Sequence, residues 1–167
     1  MTKEIPETAK SAFEKHDAIE VADEGYEITT TVFDGFVTAS EGPEWKHTYT
    51  VTVYVPTLDA ATAEAVGPAV LDGWRETLER RLEDAPKSTR SNVELHDFDV
   101  EEIGDELQVT YTFEWGSEDR ATAIAKTFVE YVEGTYVEGV VPGYEYEEPV
   151  SDLLSAASDT GNQGTPL

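Results

Sequence analysis

The most regular hydrophobic pattern in the chain lies between residues 45 and 55. Every second residue there is apolar, aromatic or histidine: Trp45, His47, Tyr49, Val51, Val53 and Val55. The residues between them are mostly threonine. A period of two, with β-branched and aromatic side chains on both faces, predicts a β-strand with one buried face.

Alternation of the same kind occurs in three further segments. Residues 93–100 and 106–115 flank Gly104-Asp105, which predicts a hairpin. Residues 26–39 also alternate, and here Asp34-Gly35 is either a tight hairpin turn or a bulge within one long strand. Residues 18–25 are acidic and are expected to form a loop.

Apolar residues at a spacing of three or four predict three helices, at residues 5–16, at 68–82 and after Ser117. Pro68 suits the first turn of the second helix. Ser117 is expected to cap the third, with Glu118 and Asp119 in its first turn. One or two further helical turns are expected at residues 152–158, and residues 161–167 are expected to be disordered.

The predicted elements follow the order α-ββ-α-ββ-α. This order indicates an α+β fold, with a mainly antiparallel sheet of four or five strands and helices packed on one face. In element order alone the chain resembles type III secretion chaperones, although a shared fold does not imply a shared function. We expect residues 1–150 to form a single α+β domain, and residues 151–167 to form a short helical turn and a disordered tail.

Charge changes this picture more than any motif does. The chain has 36 acidic and 11 basic residues, and its net charge is −25. The acidic residues are spread along the whole chain, which indicates a charged surface rather than an acidic tail. Because such a surface repels itself, we expect a halophilic protein that requires molar salt as its solvent. No basic patch is present to bind nucleic acid.

Composition also restricts location and chemistry. The chain has no cysteine, which excludes disulfides and thiol catalysis. No apolar run is long enough for a membrane span, and the first residues lack a signal-peptide pattern, so we expect a cytoplasmic protein without a membrane partner. No nucleotide-binding or nucleophile motif is present, so we expect no cofactor, no metal and no catalytic residue.

Two sets of residues remain as candidate sites. The first contains four tyrosines that could form an exposed protein-binding surface: Tyr54, Tyr136, Tyr144 and Tyr146. They favour a non-enzymatic adaptor or chaperone-like module that holds a protein partner or associates with itself. The alternative is a small enzyme or ligand-binding module, with a pocket between sheet and helices near His47, His96 and Asp97.

Three sequence segments carry a family resemblance. They are VTVYVPTLD at residues 51–59, VLDGW at 70–74 and TLERRLED at 77–84. In these segments the chain resembles a family of small haloarchaeal proteins of unknown function, and the likeness extends to about residue 150. The resemblance implies a halophilic cytoplasmic protein. It carries over neither an activity nor catalytic residues.

Overall fold

A computed structural model describes residues 5–23 and 25–163 of the chain. The described strands are β1 Ile19–Ala22, β2 Gly25–Ile28, β3 Gly35–Glu41, β4 His47–Pro56, β5 Leu95–Ile103 and β6 Glu106–Trp115. The described helices are α1 Glu7–Lys15, α2 Leu58–Ala61, α3 Pro68–Leu82, α4 Glu118–Glu138 and α5 Val150–Gln163, with a 3₁₀ turn at Ala85–Ser88. None of these helices is both long and apolar enough to cross a membrane.

The strands form one antiparallel sheet in the order β1-β2-β3-β4-β6-β5. The predicted α+β class is confirmed, but the strand count and the element order are wrong. Residues 18–25, expected to be a loop, contain β1. This short edge strand needs only one neighbour, and its register pairs Val21 with Tyr26. The observed order is α-ββββ-αα-ββ-αα, so the comparison with secretion chaperones does not extend to it.

The segment predicted as residues 26–39 is two strands separated by a loop at residues 29–34. Asp34-Gly35 is therefore neither a tight hairpin turn nor a bulge, and Asp34 is the last residue of a six-residue loop between two antiparallel strands. A distant carboxylate holds this loop, because Glu133 of α4 accepts hydrogen bonds from the backbone N–H groups of Val32 and Phe33, at 2.7 and 3.0 Å. Phe33 is buried against Tyr136. These tertiary contacts, and not the local alternation of apolar residues, decide the conformation of residues 29–34.

Two local predictions are confirmed in detail. Ile103 pairs with Glu106 across the Gly104-Asp105 turn. Gly104 has φ +62°, a left-handed conformation that favours glycine. The Ser117 hydroxyl accepts a hydrogen bond from the Arg120 N–H at 3.3 Å and caps α4.

The core lies between one face of the sheet and the helices. Alternate residues of β4 and β6 are fully buried there, and the Phe128 ring of α4 packs 5.0 Å from Tyr111 and 5.5 Å from Phe113. The predicted stripe of α3 also enters the core through Trp74, Leu78 and Leu82. The helices are thus held by apolar burial on this single face of the sheet.

The C-terminal helix of the described chain is longer than its sequence suggests. Helix α5 begins at the buried Val150 and extends to Gln163, beyond the one or two turns expected at residues 152–158. Residues 164–167 of the predicted disordered tail lie outside the described residues.

Candidate functional site

The second face of the sheet is the largest candidate surface. We call it the open face and define it by these residues of β3, β4 and β6 that point to it: Phe36, Thr38, Thr48, Thr50, Thr52, Tyr54, Gln108, Thr110, Thr112 and Glu114. All of them are half-buried, whereas their neighbours along each strand enter the core. The open face therefore consists of side chains that the sheet itself holds in place.

Register places the threonines of the open face in rows across the strands. Thr50 lies opposite Thr38 on one side and opposite Thr112 on the other. Thr52 lies opposite Thr110 in the next row. Each hydroxyl can both donate and accept a hydrogen bond. The centre of the open face is therefore uncharged but able to bind polar groups.

The edges of this face are acidic. Glu20 of β1 lies opposite Glu27 of β2, and Glu27 lies opposite Phe36. On the other edge, Asp97 and Asp99 of β5 lie opposite Thr112 and Thr110. An uncharged centre between two acidic edges would attract a positively charged partner.

One end of the open face carries a shallow cavity of about 600 Å³. Its lining includes Phe36 and Tyr54, whose rings meet edge to face with centroids 6.2 Å apart. The other lining residues come from strands β1, β3, β4 and β6 and from the turn after β1. Tyr54 is half-buried on the open face rather than exposed, and it packs against Phe36, which the sequence did not single out.

The other end of the sheet carries a second depression, which we call the tryptophan cleft. It has a volume of about 660 Å³ and lies where β4 begins and β6 ends. Its lining includes six aromatic or charged side chains, Trp45, Lys46, Glu94, His96, Glu114 and Trp115, together with Asn92, Leu95, Gly116 and Ser117. The Lys46 Nζ lies 6.0 Å from the centre of the Trp45 ring. The Trp45 side chain is 70% exposed, an unusual position for so large an apolar group.

Gly116 holds the Trp45 ring in this position. A Cβ atom added to Gly116 would lie 1.5 Å from the nearest carbon of the ring, so no other residue fits there without moving Trp45. The sequence analysis placed Trp45 on the buried face of a strand. The structure instead places it in the turn before β4, resting on backbone. A glycine directly after Trp115 was the only sequence signal for this contact.

The residues of the expected enzyme pocket are not brought together. His47 lies between the sheet and the helices, where its Nε2 is 3.1 Å from the Thr8 hydroxyl and 3.3 Å from a Glu118 carboxylate oxygen. His96 lies beside Glu114 of the open face, with 3.9 Å between its Nδ1 and the carboxylate. Asp97 also belongs to the open-face side. The sheet therefore separates His47 from the other two residues.

The other three predicted binding tyrosines lie within the core or pack against it. Tyr136 is fully buried and its hydroxyl donates to the Pro56 carbonyl at 3.0 Å, so it belongs to the core and not to a surface. Burial raises its pKa above the usual range. Tyr146 pairs with Thr62 as an isolated bridge, and its hydroxyl donates to the Val141 carbonyl. Tyr144 is half-buried against the core.

No metal-binding set is formed by the side chains of residues 5–23 and 25–157, where no three histidine or carboxylate groups converge. Three buried polar atoms, the His47 Nδ1, the Tyr49 hydroxyl and the Trp74 Nε1, have no hydrogen-bond partner within those same residues. Burial, followed by the nearby Glu118 charge, raises the pKa of Tyr49. This hydroxyl therefore stays protonated at neutral pH.

A comparison with protein families gives one match. The Family of unknown function (DUF5813) matches residues 14–156, which is most of the chain. The chain belongs to this family. No curated protein and no solved structure matches it. Membership in DUF5813 confirms the predicted membership in a family of unknown function, and it brings neither an activity nor a ligand.

Proposed function

We propose that this DUF5813 protein is a non-enzymatic binding module that holds a basic segment of a partner protein on its open face. The observation that carries the proposal is the open face itself, an ordered surface of hydroxyl and aromatic groups between acidic edges. Hydroxyls and a phenylalanine–tyrosine pair are suited to a peptide, which presents both polar backbone and apolar side chains.

Charge supports a basic partner over a second copy of the same chain. Each copy has a net charge of −25, so an interface between two copies would gather like charges with few basic residues to pair them. The acidic edges of the open face would face each other or face neutral threonines. A segment rich in arginine or lysine instead brings opposite charges into direct contact with the acidic edges.

We further propose that the protein works in the cytoplasm of a halophilic cell. The dispersed acidic surface supports this proposal, because molar salt would screen the repulsion between carboxylates. In such a solvent, long-range attraction is also screened. Recognition would then depend on short-range contacts at the open face rather than on overall charge.

A selection from a random peptide library displayed on phage tests this function. The library is applied to the immobilised protein in molar potassium chloride. We expect the selected peptides to be enriched in arginine and lysine. We also expect a synthetic copy of a selected peptide to shift backbone amide NMR signals of β3, β4 and β6, while those of the outer surface of α4 stay unchanged.

Two variants with the same change in charge provide the control. Thr50→Arg places a positive charge at the centre of the open face, and we expect it to weaken peptide binding by about tenfold or more. Thr127→Arg makes the same substitution at a half-buried threonine of α4, on the helical side of the sheet, and should leave binding unchanged. Peptides without basic residues, or shifts centred on the helices, would refute the proposal. Equal binding by the two variants would also refute it.

A further inference from the structure

The tryptophan cleft combines an exposed aromatic ring with carboxylates, and no part of the fold requires that ring to be exposed. Trp45 is 70% exposed, and Gly116 leaves room for its ring against the backbone. Part of the Trp45 ring lies against the backbone at Gly116, while most of the ring stays exposed to a ligand.

The charged groups of the cleft indicate the class of ligand. Two carboxylates, Glu94 and Glu114, line the same depression as the ring. The face of a tryptophan ring attracts cations, and the chain's own Lys46 ammonium lies 6.0 Å from the ring centre. An aromatic face beside carboxylates therefore provides two kinds of contact for a positively charged group.

A guanidinium group fits these contacts better than an ammonium group. It is planar and weakly hydrated, it stacks on aromatic rings, and it donates paired hydrogen bonds to a carboxylate. These short-range contacts persist in concentrated salt, whereas attraction between distant charges does not. Lys46 is a compact ammonium on a flexible stem, so a guanidinium could displace it from the ring.

We propose that the tryptophan cleft binds a guanidinium group, stacked on Trp45 and hydrogen-bonded to Glu114 or Glu94, and that an arginine side chain of the partner protein supplies it. The arginine source rests on the proposed function, because the cleft shares Glu114 with the open face. A segment bound along the open face could thus place one arginine at the end of β4.

The chain's three tryptophans allow a direct test by NMR. Trp45 and Trp115 line the cleft, while Trp74 is buried on the helical side, so the three indole N–H signals include an internal control. The probes are the tripeptide acetyl-Gly-Arg-Gly-amide and its citrulline counterpart, which has a similar shape without the charge. We expect the arginine peptide to shift the Trp45 and Trp115 signals until they saturate, and the Trp74 signal to stay unchanged.

Four substitutions are each expected to change the affinity for the arginine peptide in a defined direction. Trp45→Ala should abolish the saturable shift, and Glu114→Gln should weaken the affinity for the arginine peptide by about tenfold. Lys46→Gln removes the competing ammonium and should strengthen the affinity for the arginine peptide. Gly116→Ala should weaken binding by displacing the ring, although the amide spectrum remains that of a folded protein, since the ring is an exposed group that can move.

Several results would overturn the inference. Equal shifts from the citrulline peptide or from glucose would show that the cleft does not select a cation. Saturable binding of methylguanidinium without binding of the arginine peptide would refute a partner's arginine as the source. Failure of these titrations, with basic peptides still selected on the open face, would reject the cleft alone. Binding of arginine without any selected peptide would reject the proposed function instead.

Discussion

Tyr26 illustrates how single side chains link the parts of this fold. Its ring is buried 4.8 Å from the ring of Phe13 on α1, and its hydroxyl donates to the Glu14 carboxylate at 2.8 Å. Burial raises the pKa of Tyr26 to about 12, and the hydrogen bond and the charges of Glu14 and Glu7 act in the same direction. The hydrogen bond from Tyr26 of β2 to Glu14 of α1 thus forms only while the Tyr26 hydroxyl is protonated.

We therefore expect alkaline unfolding that depends on Tyr26. In the unfolded chain a tyrosine loses its proton near pH 10, whereas the folded protein retains this proton up to about pH 12. The stabilisation is present below about pH 10 and is lost as the pH rises through the folded pKa. In urea unfolding at fixed salt, Tyr26→Phe should make the fall in unfolding free energy above about pH 10 less steep. An identical slope in both proteins would contradict this account.

At the scale of elements, two glycines that both lie along α4 have opposite roles. Gly134 lies within α4, is exposed, and has no atom within 4 Å of an added Cβ. Gly35 begins β3 beneath α4, where an added Cβ would lie 2.4 Å from a methyl group of the buried Val129. The first glycine only weakens a helix, while the second allows helix and sheet to approach.

Alanine at these two positions should change stability in opposite directions. Gly134→Ala should raise the free energy of unfolding by about 0.5–1 kcal/mol, because alanine loses less backbone entropy in a helix. Gly35→Ala should lower it by about 1–3 kcal/mol, because the extra methyl group overfills the core. Urea unfolding of both variants in the same salt provides the measurement. Stabilisation by Gly35→Ala would indicate that β3 and α4 are packed less closely than described.

At the scale of the whole molecule, the net charge of −25 acts on the balance between folded and unfolded states. The folded chain brings its carboxylates closer together than the unfolded chain does, so repulsion favours unfolding. The Debye length shortens from about 30 Å at 0.01 M salt to about 3 Å at 1 M, which removes most of this repulsion. Stability should therefore depend on salt.

We expect the midpoint of thermal unfolding to rise as potassium chloride increases from millimolar to molar concentrations, and the amide NMR spectrum to lose dispersion in dilute buffer. Replacing the exposed Glu76 and Glu101 by glutamine should reduce the salt needed, because it removes two negative charges. Replacing the exposed Thr77 and Ser155 by alanine changes no charge and serves as the control. Spectra that stay equally dispersed at all salt concentrations would refute the expectation.

The sequence predicted the parts of the fold that depend on nearby residues. The strand at residues 45–55, the Gly104-Asp105 hairpin and the Ser117 cap were all predicted, because alternation, turn chemistry and capping act within a few residues. It did not predict β1 or the loop at residues 29–34. That loop is held by Glu133, which lies 101 residues from Val32 in the chain. Local patterns carry no information about such contacts.

For the candidate sites as well, the sequence predicted what depends on local pattern and not what depends on long-range packing. Alternation identified two faces of β4, yet only packing decided which face the helices cover, and this placed His47 in the interior and His96 on the other side. Tyr54 reached a surface, whereas Tyr136 of α4 was buried against Phe33 and Trp74. The sequence by itself determined the charge, the fold class and the central strands. The tertiary structure decided the strand count, the open face and the tryptophan cleft, because these arise where distant segments meet.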